Sequence, residues 1–262
     1  MSSFIFDKKT FFLYYIVPIK GVIIMSEYIP YLRSINVTEI FKRFKAKYKD
    51  LYPEGAWDFI EEEFPKQIDT KSAPDILMQI YTELNLNNKG TIFYRRHLKL
   101  LRELFPITGN LLEIGSGYIP SFANLIANEQ LKLNSGTITI YEPNLISLIP
   151  KHPNMTLHKE EFTTSTDVSQ YDLITALLPC EATETIIESA CKNRKDFYIA
   201  MCGCVHTDLG YFYGYMSTSP IIYQNQVIEG TKRLLEEYDN GTLEVTHLTN
   251  HPINYPILYN RR

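Results

Sequence analysis

The sequence predicts an α/β protein with a doubly wound, mostly parallel seven-stranded sheet and an antiparallel last strand, preceded by an N-terminal helical region. Two observations support this prediction. From residue 110 onward, short apolar runs of strand length alternate with segments of helical periodicity, as in sheets with helical crossovers. Over residues 35–105 only helical periodicity is present. We therefore divide the chain into an extension (1–24), a helical region (25–108) and a doubly wound domain (109–262).

Four helices are predicted in the N-terminal region. They lie around residues 40–49 and at 56–64, 73–84 and 91–105. The first has five basic residues among apolar positions spaced three and four apart, which predicts a basic amphipathic helix. A solvated face is the favoured interpretation of these charges, and contact with an anionic substrate is the alternative.

Strands and helices alternate through the second region. Strands are predicted at 110–114, 137–141, 155–158, 172–178, 197–202, 243–248 and 255–259. Helices are predicted at 120–128, 144–150, 183–192 and 221–238. Only a turn around Pro252 separates the last two strands, so they should pair antiparallel.

The extreme N-terminus contains an apolar run, residues 11–24, broken by a proline, a lysine and a glycine. A transmembrane helix needs ~20 apolar residues, so this run is too short to span a bilayer. A signal peptide is one interpretation, because two lysines precede the run, but no small-x-small cleavage site follows. The codons of residues 20–22 can also spell a bacterial ribosome-binding sequence. We therefore expect natural translation to begin at Met25.

Composition limits the classes of function. Hydrophobic residues make up 45% and charged residues 21%, which excludes disordered and collagen-like chains. The net charge of −4 argues against a dedicated binder of duplex nucleic acid, although a local basic face could still contact RNA. The four cysteines all lie between residues 180 and 204, unlike a secreted disulfide framework. Reduced thiols and a cytoplasmic location are predicted.

The main chemical signal is the turn after the first predicted strand, Glu113-Ile114-Gly115-Ser116-Gly117. Glycines let the backbone bend sharply and let a ligand approach closely. The full dinucleotide fingerprint G-x-G-x-x-G is absent, because Pro120 stands where its third glycine would be. The remaining E-x-G-x-G resembles motif I of the class I S-adenosylmethionine-dependent methyltransferases. In that family the turn backs the methionine and ribose portion of the cofactor.

Acidic residues after the next two strands strengthen the resemblance. Glu142 ends the second predicted strand and precedes Pro143, and a carboxylate there can accept hydrogen bonds from both ribose hydroxyls. Capping of the next helix is the alternative. Glu161, followed by Phe162, comes after the third strand, where the family often keeps an acidic residue for the adenine amino group. For Glu161 a solvated loop is an equal alternative.

The resemblance covers residues 110–262 and implies S-adenosylmethionine as the cofactor. The residues predicted to contact it are Glu113, Gly115, Ser116, Gly117, Glu142, Pro143, Glu161, Phe162 and Leu177. No catalytic residue is assigned. Glu181, just past the fourth strand, is a geometric candidate for a general base if the acceptor is acidic.

Cys180, Cys202, Cys204 and His206 follow the fourth and fifth predicted strands and should approach one another at one sheet edge. Three thiols and an imidazole are a standard zinc set, but the spacing C-x-C-x-H is unusual for zinc. Packing is the favoured interpretation, with a substrate-facing thiol and a metal site as alternatives. The prediction is that no metal is bound.

Two further features have open interpretations. Tyr94, on the last N-terminal helix, is either a lid over the cofactor or, as favoured, a surface residue. The aromatic stretch 210–216 is either a wall for a planar substrate or a packed loop.

Three functions are compatible with the sequence. The first is methyl transfer from S-adenosylmethionine, with a small-molecule acceptor favoured over RNA and no membrane partner. The second is transfer of the aminocarboxypropyl group of the same cofactor, because residues 115–120 resemble the turn of nicotianamine-synthase-like proteins. The third is a non-enzymatic module that binds the cofactor or a partner.

Overall fold

The computed structural model describes residues 37–52, 56–58, 79–80, 82–84, 89–202, 220–248 and 255–262. The helices within these ranges are α1 (Val37–Tyr48), α2 (Lys89–Leu104), α3 (Ser121–Lys132), α4 (Thr183–Lys192) and α5 (Pro220–Glu237). The strands are β1 (Asn110–Ile114), β2 (Thr137–Tyr141), β3 (Met155–His158), β4 (Leu173–Leu177), β5 (Asp196–Ala200), β6 (Thr242–Thr246) and β7 (Ile257–Arg261). None of the helices in the described ranges is long and apolar enough to cross a bilayer. The apolar run 11–24 lies outside these ranges.

All seven strands form one sheet in the order β3-β2-β1-β4-β5-β7-β6. The strands β1 to β5 pair in parallel, whereas β7 is antiparallel to both β5 and β6. This confirms the predicted fold class, including the antiparallel last strand. The chain winds outward from β1 in one direction and from β4 in the other. A crevice therefore opens at the carboxyl ends of these two strands, where ligands bind in such sheets.

Helices on both faces of the sheet explain its uninterrupted apolar strands. Every residue of β4 is buried, because α2 and α3 cover one face and α4 and α5 the other. Phe122 and Ile138 belong to the core on the first face, and Ile187 and Phe197 to the core on the second. The core thus holds the strand ends in a fixed arrangement around the crevice.

The predicted helix at 144–150 is wrong. This segment consists of turns and bends. The N–H of Asn144 donates to a carboxylate oxygen of Glu142, and the N–H of Ile146 donates to the carbonyl of Tyr118. Both groups therefore bond outside any helical pattern. Pro143 precedes the segment and Pro150 ends it, and neither has a backbone N–H.

The N-terminal region packs on the loops that follow β1 and β2. In α1, Phe44 and Tyr48 are buried in an aromatic cluster with Trp57, and Ile119 and Ile146 complete it from the doubly wound domain. The four basic residues of α1 and Lys49, which follows it, are exposed, as the amphipathic pattern predicted. Of the helices predicted at 56–64 and 73–84, residues 56–58, 79–80 and 82–83 are helical, and the other residues lie outside the described ranges.

Candidate functional site

A cavity of about 480 Å³ opens at the carboxyl ends of β1, β2 and β4. Most of its wall comes from the loops after these strands, with a smaller share from the N-terminal helices and the loop after β3. Residues lining the cavity include Gln79, Tyr94, Gly115, Ser116, Gly117, Tyr118, Glu142, Pro143, Asn144, Glu161, Phe162, Leu177, Leu178, Cys180, Glu181 and Thr185. The structure therefore brings together all the sequence-predicted cofactor residues except Glu113.

The glycine turn forms the floor of this cavity. Gly115 and Gly117 have φ angles of +73° and +72°, which disfavour any residue with a Cβ. A Cβ at Gly115 would lie 3.1 Å from the Cα of Pro179 in the loop after β4. Close approach of the two loops and the bend of the chain both require glycine here.

Glu142 is 5% exposed and is held by two backbone N–H groups. Its Oε2 accepts from Gly117 at 2.9 Å, and its Oε1 accepts from Asn144 at 2.7 Å. Each carboxylate oxygen can accept more than one hydrogen bond, so acceptor capacity toward the cavity is left. The carboxylate is thus oriented in advance of any ligand. The alternative that it caps a following helix is excluded, because no helix follows.

Phe162 and Glu161 lie on the far wall. Phe162 is buried and packs edge-on against Tyr141, with ring centroids 6.1 Å apart. Tyr141 in turn stacks on His158 at 4.5 Å. Glu161 is exposed, with its side chain at the rim of the cavity. This wall offers an aromatic surface with a carboxylate beside it.

Glu113 departs from the prediction, since it does not line the cavity. It is 1% exposed and lies beneath the turn, where its carboxyl accepts the N–H of Ala123 in the first turn of α3. Burial raises its pKa from 4.5 to about 8, and the hydrogen bond from Ala123 only partly opposes this. Its Oε2 has no hydrogen-bond partner among the described residues. Burial therefore favours the neutral form of the Glu113 carboxyl, which supports the turn from behind.

The loop after β4 is strained where it meets the cavity. Leu178 and Cys180 have φ angles of 56° and 49°, a left-handed conformation that costs a non-glycine residue on the order of 1–2 kcal/mol. The hydroxyl of Thr183 donates to the carbonyl of Cys180 at 2.7 Å and anchors the loop to α4. Glu181 follows in this loop and is exposed on the cavity wall.

The cysteines are split between two environments. Cys180 is half-buried on the cavity wall, and Cys202 is buried after β5. Cys204 and His206 lie outside the described residues, as does the aromatic stretch 210–216. Within the described part of the chain, no cluster of three or more His, Cys, Asp or Glu residues is arranged to hold a metal ion.

The charged side chains that line the cavity are all acidic. Glu142, Glu161 and Glu181 contribute carboxylates, and no Lys, Arg or His side chain is among the described residues that line the cavity. Such a wall attracts cationic ligands and repels phosphates.

Two lining residues were missed or misplaced by sequence reasoning. Tyr94 is 6% exposed and packs against Phe93 and Phe122, so the favoured surface placement is wrong. Gln79 comes from a different part of the chain, and its local sequence carries no motif. The apolar periodicity of α2 was the available signal for Tyr94, whereas none existed for Gln79.

No family model matches this chain, and no curated protein matches its sequence. Several solved structures, among them methyltransferases and proteins in complex with S-adenosylmethionine, are similar to it. One is the precorrin-6y C5,15-methyltransferase of Geobacter metallireducens, with 15% identity over 64% of this chain and 87% of that chain, at a TM-score of 0.41. Human N-acetylserotonin methyltransferase in complex with SAM has 13% identity over 90% of this chain and 69% of that chain, at a TM-score of 0.41. A mutant of MtNAS in complex with S-adenosylmethionine has 11% identity over 90% of this chain and 96% of that chain, at a TM-score of 0.43.

Proposed function

We propose that this protein is an S-adenosylmethionine-dependent methyltransferase that acts on a small molecule. The observation that carries the proposal is a cavity floored by the glycine turn and lined by carboxylates without a cationic side chain among its described residues. S-adenosylmethionine carries a sulfonium and an ammonium group against one carboxylate, so its net charge is positive. The electrostatics of the cavity favour such a ligand.

The same observation argues against the nearest rivals among nucleotide ligands. A dinucleotide cofactor brings a pyrophosphate, which sheets of this kind bind with a longer glycine array and a helix N-terminus. Here Pro120 precedes α3, and Glu142 lies beside the turn. A pyrophosphate at this place would meet a carboxylate and find no cation on the described wall.

Each part of the cavity suits one part of the proposed cofactor. Glu142 would accept the ribose hydroxyls, the turn at Gly115–Gly117 would back the methionine portion, and Phe162 would pack on the adenine. Pro143 and Leu177 would close the walls, and Glu161 at the rim would face the adenine amino group. When bound, the cofactor supplies an activated methyl group.

The chain's own contribution to the reaction is positioning. Transfer from a sulfonium needs a nucleophilic acceptor aligned with the methyl group, and alignment can lower the barrier by several kcal/mol. An acceptor that must lose a proton needs a base, and Glu181 is the exposed carboxylate on the wall next to α4. The net charge of −4 and the anionic cavity both disfavour a phosphate backbone near the site, which supports a small-molecule acceptor over RNA.

A thermal-shift comparison tests the proposal. S-adenosylhomocysteine at millimolar concentration should stabilise the protein, by ~4 kcal/mol for a micromolar site, and NAD at the same concentration should not. No shift with S-adenosylhomocysteine would overturn the proposal.

Product analysis then distinguishes the chemistry. Incubation with S-adenosylmethionine and a cell metabolite extract should release S-adenosylhomocysteine. Methylthioadenosine would instead support aminocarboxypropyl transfer. Binding without turnover on metabolite and RNA pools would support a non-enzymatic module.

A further inference from the structure

One glutamine side chain from the N-terminal region is bonded to both ends of the glycine turn. Gln79 is 2% exposed. Its Nε2 donates to the carbonyl oxygen of Ser116 at 2.7 Å, and its Oε1 accepts the N–H of Ile119 at 3.0 Å. A single planar amide therefore spans the turn between these two residues.

The peptide unit between Ser116 and Gly117 is consequently held from two sides. Its carbonyl oxygen is bonded to Gln79, and its N–H is bonded to Glu142 at 2.9 Å. A peptide plane bonded at both its donor and its acceptor cannot rotate without breaking one of these bonds. Gly117 also fits Gln79 sterically, because a Cβ at Gly117 would lie only 2.6 Å from the Nε2 atom.

The segment that carries Gln79 is itself firmly attached. Glu83, one helical turn later, accepts a hydrogen bond from Asn124 of α3 at 2.8 Å and forms an ion pair with Lys151. The carbonyl of Glu83 accepts the Tyr48 hydroxyl at 2.8 Å. The position of Gln79 therefore depends on the contacts of this segment with α1, α3 and Lys151.

We propose that Gln79 is a positioning residue for the cofactor, holding the Ser116–Gly117 peptide in the orientation that the bound cofactor requires. This inference rests on the proposed function, since the turn matters only if a ligand lies against it. It makes cofactor affinity depend on a residue outside the doubly wound domain. A purely structural glutamine would affect the stability of the fold and leave affinity unchanged.

Gln130 provides a matched control for this distinction. It is fully buried, and its Nε2 donates to the carbonyls of Ile107 at 2.8 Å and Gly109 at 3.2 Å. These bonds lie just before β1, at the amino ends of the parallel strands, whereas the cavity lies at their carboxyl ends. Gln79→Met and Gln130→Met each replace the amide by an apolar chain of similar length.

The experiment measures affinity for S-adenosylhomocysteine by calorimetry and the melting temperature of the full-length wild type and both variants. Gln79→Met should weaken binding at least tenfold, and Gln130→Met should lower the melting temperature with affinity within twofold of wild type. A folded Gln79→Met protein with wild-type affinity would overturn the inference. If the wild type itself does not bind, the proposed function fails and this inference fails with it.

If Gln79→Met folds poorly, the variant Gln79→Glu tests the same inference. In Gln79→Glu, a protonated carboxyl can donate to Ser116 and accept from Ile119, whereas the ionised form cannot donate and faces a carbonyl oxygen. The affinity of Gln79→Glu relative to wild type should therefore rise as the pH is lowered from 8 to 5. A ratio that is independent of pH would contradict the positioning role.

Discussion

Gly117 and Glu142 are joined by a hydrogen bond of 2.9 Å from the backbone N–H of the glycine to the carboxylate Oε2. The bond links the loops that follow β1 and β2 across the floor of the cavity. Because Asn144 donates to the other oxygen, the carboxylate is both a structural acceptor and a candidate ligand group. Substitution of either residue should therefore weaken cofactor binding strongly and lower the stability of the fold to a smaller extent.

Glu142→Ala should lower the affinity for S-adenosylhomocysteine at least tenfold. The substitution removes the acceptor for two ribose hydroxyls, and each charge-assisted hydrogen bond contributes roughly 1.5–3 kcal/mol. Two backbone N–H groups lose their partner as well, so unfolding free energy should fall by about 1–3 kcal/mol. Calorimetry and denaturant unfolding measure the two effects. Glu160→Ala, an exposed residue outside the cavity lining, is the control and should bind like wild type. Unchanged affinity in Glu142→Ala would refute the assignment.

Gly117→Val should abolish cofactor binding. The φ angle of +72° is unfavourable for valine, and its Cβ would collide with Gln79 at 2.6 Å. The stability cost should stay on the order of 1–3 kcal/mol, because the turn lies at the edge of the sheet. Thermal shift with and without S-adenosylhomocysteine measures both.

Gly136→Val is the control for that variant, because Gly136 has φ +90° and lies at the amino ends of the strands, away from the cavity. A Cβ there would lie 2.6 Å from the Nε2 of Gln130 and 2.7 Å from the carbonyl oxygen of Gly109. The control variant should lose stability and keep the ligand-induced shift. A Gly117→Val protein that retains the full shift would show that the site lies elsewhere.

Glu113→Gln should remove part of the pH dependence of stability. The pKa of Glu113 is raised from 4.5 to about 8 by burial, so between these values the native state holds a proton that the unfolded chain releases. Stability must then fall as the pH rises through this window, by at most about 1.4 kcal/mol per pH unit, and level off above pH 8. A glutamine at position 113 does not titrate, so it adds no such fall of stability with pH.

Denaturant unfolding of wild type and Glu113→Gln from pH 5 to 9 checks this. The variant should gain stability relative to wild type up to about pH 8. Burial also raises the pKa of Glu184, to about 7, but that residue is present in both proteins and cancels in the difference. A difference that is constant with pH would contradict a raised pKa at Glu113.

A chain that begins at Met25 should melt at the same temperature and bind S-adenosylhomocysteine with the same affinity as the full chain. The physical reason is that residues 37–52, 79–80 and 82–84 already supply the described contacts with the doubly wound domain. Side-by-side thermal melts and calorimetry are the measurements. Loss of folding on removal of residues 1–24 would mean that the apolar run 11–24 belongs to the core.

Local patterns predicted most of the architecture. The strands β1, β2 and β3 and the helix α4 begin and end at the predicted residues, because each is a short apolar run or periodic segment bounded by turn residues. The glycine turn and Glu142 could be recognised because the E-x-G-x-G pattern and an acidic residue at the end of a predicted strand are visible in the sequence. The 144–150 helix could not be excluded, since the competing acceptors, Glu142 and the carbonyl of Tyr118, become neighbours only in the folded chain.

Local sequence patterns were enough to predict the succession of strands and helices, the glycine turn and the residue types at the strand ends. The burial of Glu113 behind the turn, the burial of Tyr94 and the hydrogen bonds from Gln79 to Ser116 and Ile119 depend instead on the folded chain. The physical reason is that periodicity and turn chemistry act over a few residues. Burial, pKa and side-chain hydrogen bonds instead depend on groups that packing brings together from distant parts of the chain.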